Sequence, residues 1–290
     1  MFSSVYKATI KNLFRAVLFW LVLAFLLGFN LYGAMRGGEG TYSFELGEMI
    51  WDTDPRFVFK ENRYVQLTLN ICDSVMLYAM PLFAIVSTIL VLGHDYGDGF
   101  YEIERAGGRR PLCYLTGRLA ALITVNYLAV LIAMFLHIHV YVFSRGGVEG
   151  LTTGQYLVDS FVRILRNTVC ITWAPTAMFI CLTYALGTLF KNNWLAAAGS
   201  SVYVLINYLF NMQLKFRIPT WYREYLDPTP AKIHQYFRYF DYYDDPSDFE
   251  AFLFKNETSL GLALACIGWI LVMALIYSLV SYLRIRRREI

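Results

Sequence analysis

Charge is scarce in this sequence: 16% of its 290 residues are Asp, Glu, Lys or Arg, against roughly a quarter in an ordinary soluble domain. A chain with so few charges and 57% hydrophobic residues has more apolar surface than one soluble core absorbs. No Gly-Lys dipeptide occurs, which excludes the phosphate-binding loop G-x-x-x-x-G-K-[ST], so any ATP used on behalf of this chain is bound by another. No H-E-x-x-H pattern occurs either. His137 and His139 are two apart, point to different faces of a helix, and do not chelate a metal as an i, i+4 pair would. The five cysteines, Cys72, Cys113, Cys170, Cys181 and Cys266, have no C-x-x-C spacing, so neither a zinc site nor a disulfide framework is indicated. No internal repeat of the kind found in many secondary transporters is evident.

What the chain does have is long apolar runs. Crossing a hydrocarbon core of about 30 Å takes about 20 apolar residues, and six such runs fall at roughly 16–35, 72–93, 117–143, 168–190, 194–212 and 259–283. The first is too long for a signal-peptide core and no small-x-small cleavage site clearly follows it, so it is expected to remain as an anchor. The expectation is an all-α integral membrane protein, a single permease-like unit over 1–290 with six transmembrane helices.

Orientation follows from where the basic residues are dense. Lys7, Lys11 and Arg15 precede the first span, Arg105, Arg109, Arg110 and Arg118 surround the second connection, Lys191 lies in the fourth, and Arg284, Arg286, Arg287 and Arg288 follow the last. Both termini are therefore expected in the cytoplasm of a multi-pass cell-membrane protein. The outer loops fall at about 36–71, 144–167 and 213–258, and the main inner loop at about 94–116. Residues 2–15 carry Lys7, Lys11 and Arg15 on one helical face and apolar residues over much of the rest, which predicts an amphipathic helix at the inner interface. The alternative is that these residues form the first turns of one long tilted span with snorkelling lysines.

In the first outer loop, Phe44 to Trp51 reads as a possible short helix between breakers. The last outer loop is dense in rings, including Tyr236, Phe237, Tyr239, Phe240, Tyr242 and Tyr243, interleaved with Asp241, Asp244, Asp245 and Asp248. It should fold against the headgroup layer or another outer loop; an aromatic surface that grips a ligand is the sharper alternative. Along the spans, Asp73, Pro81, Asn126, Pro175, Asn207 and Asn211 are candidates for a pathway or for gating. Proline permits a kink and intramembrane asparagine bonds neighbouring helices, so packing competes with function at each.

The stretch 93–118, GHDYGDGFYEIERAGGRRPLCYLTGR, is the most informative. Asp95, Gly99, Glu102, Gly108, Arg109 or Arg110, and Gly117-Arg118 follow an order that resembles the loop between the second and third spans of type-2 ABC-transporter permeases. The amphipathic start, six spans, a short fourth connection after Leu186 to Phe190, and the arginine-rich end extend the resemblance over most of the chain. The resemblance implies a membrane subunit that dimerises, with itself or a related permease, and docks two ABC ATPase subunits. ATP and Mg would sit on those partners, with no cofactor on this chain and no nucleic acid involved. The inner loop would form a coupling helix with Asp95, Gly99, Tyr101, Glu102, Glu104, Arg105, Arg109 and Arg110 as its docking set. By analogy the cargo is amphipathic or peptidic, as in resistance or immunity to an antimicrobial peptide. Two other readings stand beside this one: a membrane-embedded enzyme using the acidic and aromatic outer loop, and a non-transporting sensor or assembly subunit. No residue is singled out as catalytic or metal-binding.

Overall fold

The computed structural model describes residues 2–36, 40–43, 48–51, 80–97, 111–143, 158, 161, 172–212 and 257–286. Its elements are α1 (Phe2–Arg15), α2 (Val17–Arg36), β1 (Gly40–Ser43), β2 (Glu48–Trp51), α3 (Met80–Gly97), α4 (Pro111–Phe143), α5 (Trp173–Phe190), α6 (Asn193–Met212) and α7 (Glu257–Arg286). Among the described residues three helices are long and apolar enough to cross a membrane: Pro111–Val140, Trp173–Phe190 and Ile267–Arg286. A fourth is added if Phe2–Arg15 and Val17–Gly28 count as one broken span, and Met80–Asp95 is a shorter apolar helix.

The first two helices meet at Ala16 with a bend of 75°, which rules out one continuous tilted span from residue 2. Val5, Thr9 and Leu13, four apart, form the buried side of α1, whereas Lys7, Lys11 and Arg15 are exposed. The corner is held by aromatic packing, since the rings of Phe14, Phe19 and Trp20 lie 5.5 to 5.6 Å from their neighbours. The Trp20 indole N–H also donates to the Phe14 carbonyl at 2.7 Å. That bond satisfies one of the carbonyls that the end of α1 leaves without a partner in its own helix.

At the centre stands α5, packed against α3, α4, α6 and α7, with 78% of its span buried inside the protein. By contrast, only 17% of the span on α7 is buried, and Leu275, Ile276 and Leu279 are exposed on it. Apolar surface of that extent needs an apolar medium or another chain to cover it. A two-residue break separates α5 from α6. Lys191 takes a left-handed conformation (φ 54°) and returns its N–H to the Gly187 carbonyl, and the Asn192 side chain accepts from the Trp194 N–H at 2.8 Å. The first device closes one helix and the second caps the next.

Two sequence expectations change. Residues 48–51, read as the end of a short helix, form a strand paired antiparallel with 40–43, Gly40 opposite Trp51 and Ser43 opposite Glu48. Thr41, Tyr42, Ile50 and Trp51 favour strands, and Gly47 discourages a continuous helix there. Apart from this hairpin every described element is helical. The inner connection is also shorter than 94–116, because α3 runs to Gly97 and α4 opens at Pro111, a residue suited to a first helical turn. Pro81 is the second residue of α3 and Pro175 the third of α5, and the turns before them, on which a kink would depend, lie outside the described residues.

Candidate functional site

The strongest concentration of buried polar chemistry lies where the C-terminal turn of α3 meets the start of α4. Arg118, two turns into α4, is fully buried, and its Nη2 pairs with Oδ1 of Asp95, which is 2% exposed. Charges are removed from water only when paired and hydrogen-bonded, and here the pairing continues outward. Tyr184 Oη on α5 donates to the second carboxylate oxygen at 3.2 Å, so both oxygens of Asp95 are engaged. Arg118 Nη1 donates to Thr9 Oγ1 on α1 at 2.9 Å. The Thr9 hydroxyl gives its own proton to the Val5 carbonyl at 2.8 Å, which leaves the oxygen lone pairs for the arginine. The Arg118 guanidinium also lies 5.2 Å from the centroid of the Tyr114 ring, a cation–π contact. One node thus ties four helices together: α1, α3, α4 and α5.

Small residues let the helices come close enough for these bonds. A Cβ at Gly117 would stand 2.9 Å from Val5 Cβ and 3.3 Å from the Phe2 carbonyl oxygen, so α1 rests directly on the backbone of α4. A Cβ at Gly187 would stand 2.3 Å from Leu92 Cδ1, and one at Gly93 would stand 3.1 Å from the Asn193 amide. The ends of α3 and α5, the starts of α4 and α6, and all of α1 therefore gather at one end of the molecule.

A second polar link lies deeper. Asn126 Nδ2 donates to Ser87 Oγ at 2.8 Å and to the Leu122 carbonyl at 2.9 Å, which joins α3 to α4 again eight residues from the ion pair on each helix. Thr183 Oγ1 donates to Ser200 Oγ at 2.9 Å and joins α5 to α6 in the same way. Such bonds fix helix register in an apolar medium.

The sequence reading grouped Asp95 with the docking set and Arg118 with the basic residues around the second connection. The two residues face each other inside the protein, where an isolated charge is costly and a paired one is tolerated, so Asp95 is not on the described surface. Of the remaining docking set, Gly99, Tyr101, Glu102, Glu104, Arg105, Arg109 and Arg110 lie outside the described residues, as does Asp73. The same holds for the side chains of Asn207 and Asn211 and for the ring cluster Tyr236, Phe237, Tyr239, Phe240, Tyr242 and Tyr243. Thr9, Tyr114 and Tyr184 escaped the sequence reading. For Thr9 a signal existed, since it interrupts the apolar stripe of Val5 and Leu13 at four-residue spacing.

Among the described residues there is no group of three or more His, Cys, Asp or Glu that could hold a metal ion. His139 Nδ1 lies 2.7 Å from the Phe135 carbonyl on its own helix. With both its oxygens engaged and 2% exposure, Asp95 joins α3 to α4 and α5. The chain matches no protein-family model and no curated protein.

Proposed function

We propose that this chain is the membrane subunit of an ATP-driven exporter, acting as a dimer, with itself or a related permease, on two separate ATP-binding subunits. In this reading α2 to α7 are the six spans, both ends face the cytoplasm, and residues 98–110 carry the element that seats in the ATPase. The observation that carries it is the Asp95–Arg118 node. Both helices that leave the 98–110 connection are joined to each other, to α1 and to α5 within two turns of that connection. A push delivered there by a closing ATPase would be shared by the whole group. Helices linked this way respond as a body, by tilting or shearing, and that is how a small displacement becomes a change of access. The partner supplies ATP, Mg and hydrolysis; the residues of this chain supply a lever and its joint. An amphipathic or peptide cargo is the class that the resemblance to type-2 ABC-transporter permeases suggests.

Affinity purification in mild detergent from native membranes, with mass spectrometry of what accompanies the chain, tests this. Recovery of a nucleotide-binding subunit is expected. The double variant Glu102→Ala with Arg105→Ala should lose that subunit and still insert and fold. A well-folded chain that reproducibly brings no ATPase, or a double variant that keeps it, overturns the reading.

A further inference from the structure

At the basic end of the molecule a cavity of about 390 Å³ lies between α1, α3 and the start of α6. One wall is apolar, formed by Leu13 and Ala16 on α1 and by Ile89, Leu90 and Val91 on α3. Its other side is polar, with Asn12, His94, Asn193 and the edge of Arg118. The absence of a side chain at Gly93 leaves room for the Asn193 amide, which a Cβ there would approach to 3.1 Å. Three cations are close in sequence to residues that line it. Exposed Lys11 and Arg15 are the chain neighbours of Asn12 and Ala16, and exposed Lys191 stands two residues before Asn193. Asp95 is the acid beside Arg118, and it is taken up by that arginine and by Tyr184.

The geometry points to a binding site for an anionic phospholipid, its phosphate headgroup at the Asn12 and Asn193 amides, where Lys11, Arg15 and Lys191 would supply the positive charge, and its acyl chain against the α1–α3 wall. A phosphate monoanion suits the charges, and an attached hydrocarbon suits the wall; a fully solvated anion would leave that wall wet. Basic pockets between helices at a membrane surface commonly hold such headgroups, each nearby Lys or Arg strengthening the attraction. The inference depends on the chain being a membrane protein and not on what it transports. A bound lipid would also wedge α1 against α3 beside the Asp95–Arg118 node, which gives membrane composition a route to that joint.

Native mass spectrometry of the full chain, purified, delipidated and exchanged into nanodiscs of phosphatidylcholine with or without phosphatidylglycerol, provides the test. Wild type should retain phosphatidylglycerol in preference to phosphatidylcholine. Each of Lys11→Gln, Arg15→Gln and Lys191→Gln should weaken that preference by about fivefold. Ala16→Trp keeps every charge but fills the cavity, and it should abolish retention. The charge variants alter exposed positions and are expected to fold, so the outcome does not hang on the tryptophan variant. Equal retention of both lipids, an undiminished preference in Ala16→Trp, or equal protection by inorganic phosphate in detergent would each overturn the assignment.

Discussion

Arg118 shows at the level of one residue how a charge is kept inside an apolar helical body. Its partners are divided among three other helices, the carboxylate of Asp95 on α3, the hydroxyl of Thr9 on α1 and, through that carboxylate, Tyr184 on α5. Removing one member of a buried pair leaves the other uncompensated, whereas removing both is often nearly neutral. Asp95→Asn alone is therefore expected to cost about 3–5 kcal/mol of stability. Combining Asp95→Leu with Arg118→Met should recover most of that loss. Thermal unfolding of the purified variants orders them, and a double variant as unstable as the single one would show that the pair is not what holds these helices. Thr9→Val takes away the oxygen that receives Arg118 Nη1 and should cost about 1.5–3 kcal/mol, the usual worth of a hydrogen bond to a charged group.

At the level of elements, two close crossings make contrasting demands. The Cβ of Gly117→Ala would press on the Cβ of Val5, a β-branched helical residue with one preferred rotamer, and on the Phe2 carbonyl oxygen. Relief requires moving α1 itself. The Cβ of Gly187→Ala would meet only the far end of Leu92, which can change rotamer. Gly117→Ala should therefore loosen α1, exposing Lys7, Lys11 and Arg15 to faster tryptic cleavage, and Val5→Ala should restore resistance. Gly187→Ala should leave the digestion pattern as in wild type. Equal effects would mean that α1 is not seated on α4. The elements also show what the sequence could reveal. The amphipathic α1 was legible because its lysines recur on one face, and the α5–α6 break because apolar runs stop on either side of Lys191-Asn192. The extent of α3 and α4 was not. A hydropathy scan halts at His94-Asp95 and at Gly117-Arg118, yet those charges neutralise each other across the helices, and both helices continue beyond them to Gly97 and back to Pro111. Charge pairing between segments is invisible to any window on one segment. The strand at 48–51 escaped for a related reason, since its pairing partner at 40–43 lies outside the window that suggests a helix.

For the whole molecule, the consequential feature is that α1, the ends flanking 98–110 and the Lys191-Asn192 turn gather at one end. Lys7, Lys11, Arg15 and Lys191 belong to that end, and short basic segments remain on the cytoplasmic side of a membrane. In a background with the five native cysteines replaced by serine, Lys7→Cys, Glu104→Cys and Lys191→Cys should therefore share one fate. None should react with an impermeant maleimide in intact cells, and all should react in inverted vesicles. Ser247→Cys, in the acidic aromatic loop, should behave in the opposite way. Reaction of Lys191→Cys and Lys7→Cys from different sides would contradict the packing of α1 and α6 against α3. All three basic-end positions labelling from outside would preserve the fold but reverse it in the membrane. The 98–110 connection would then lie beyond the reach of any ATP-binding subunit, and the exporter reading would fall while the ion-pair joint and the lipid cavity remained.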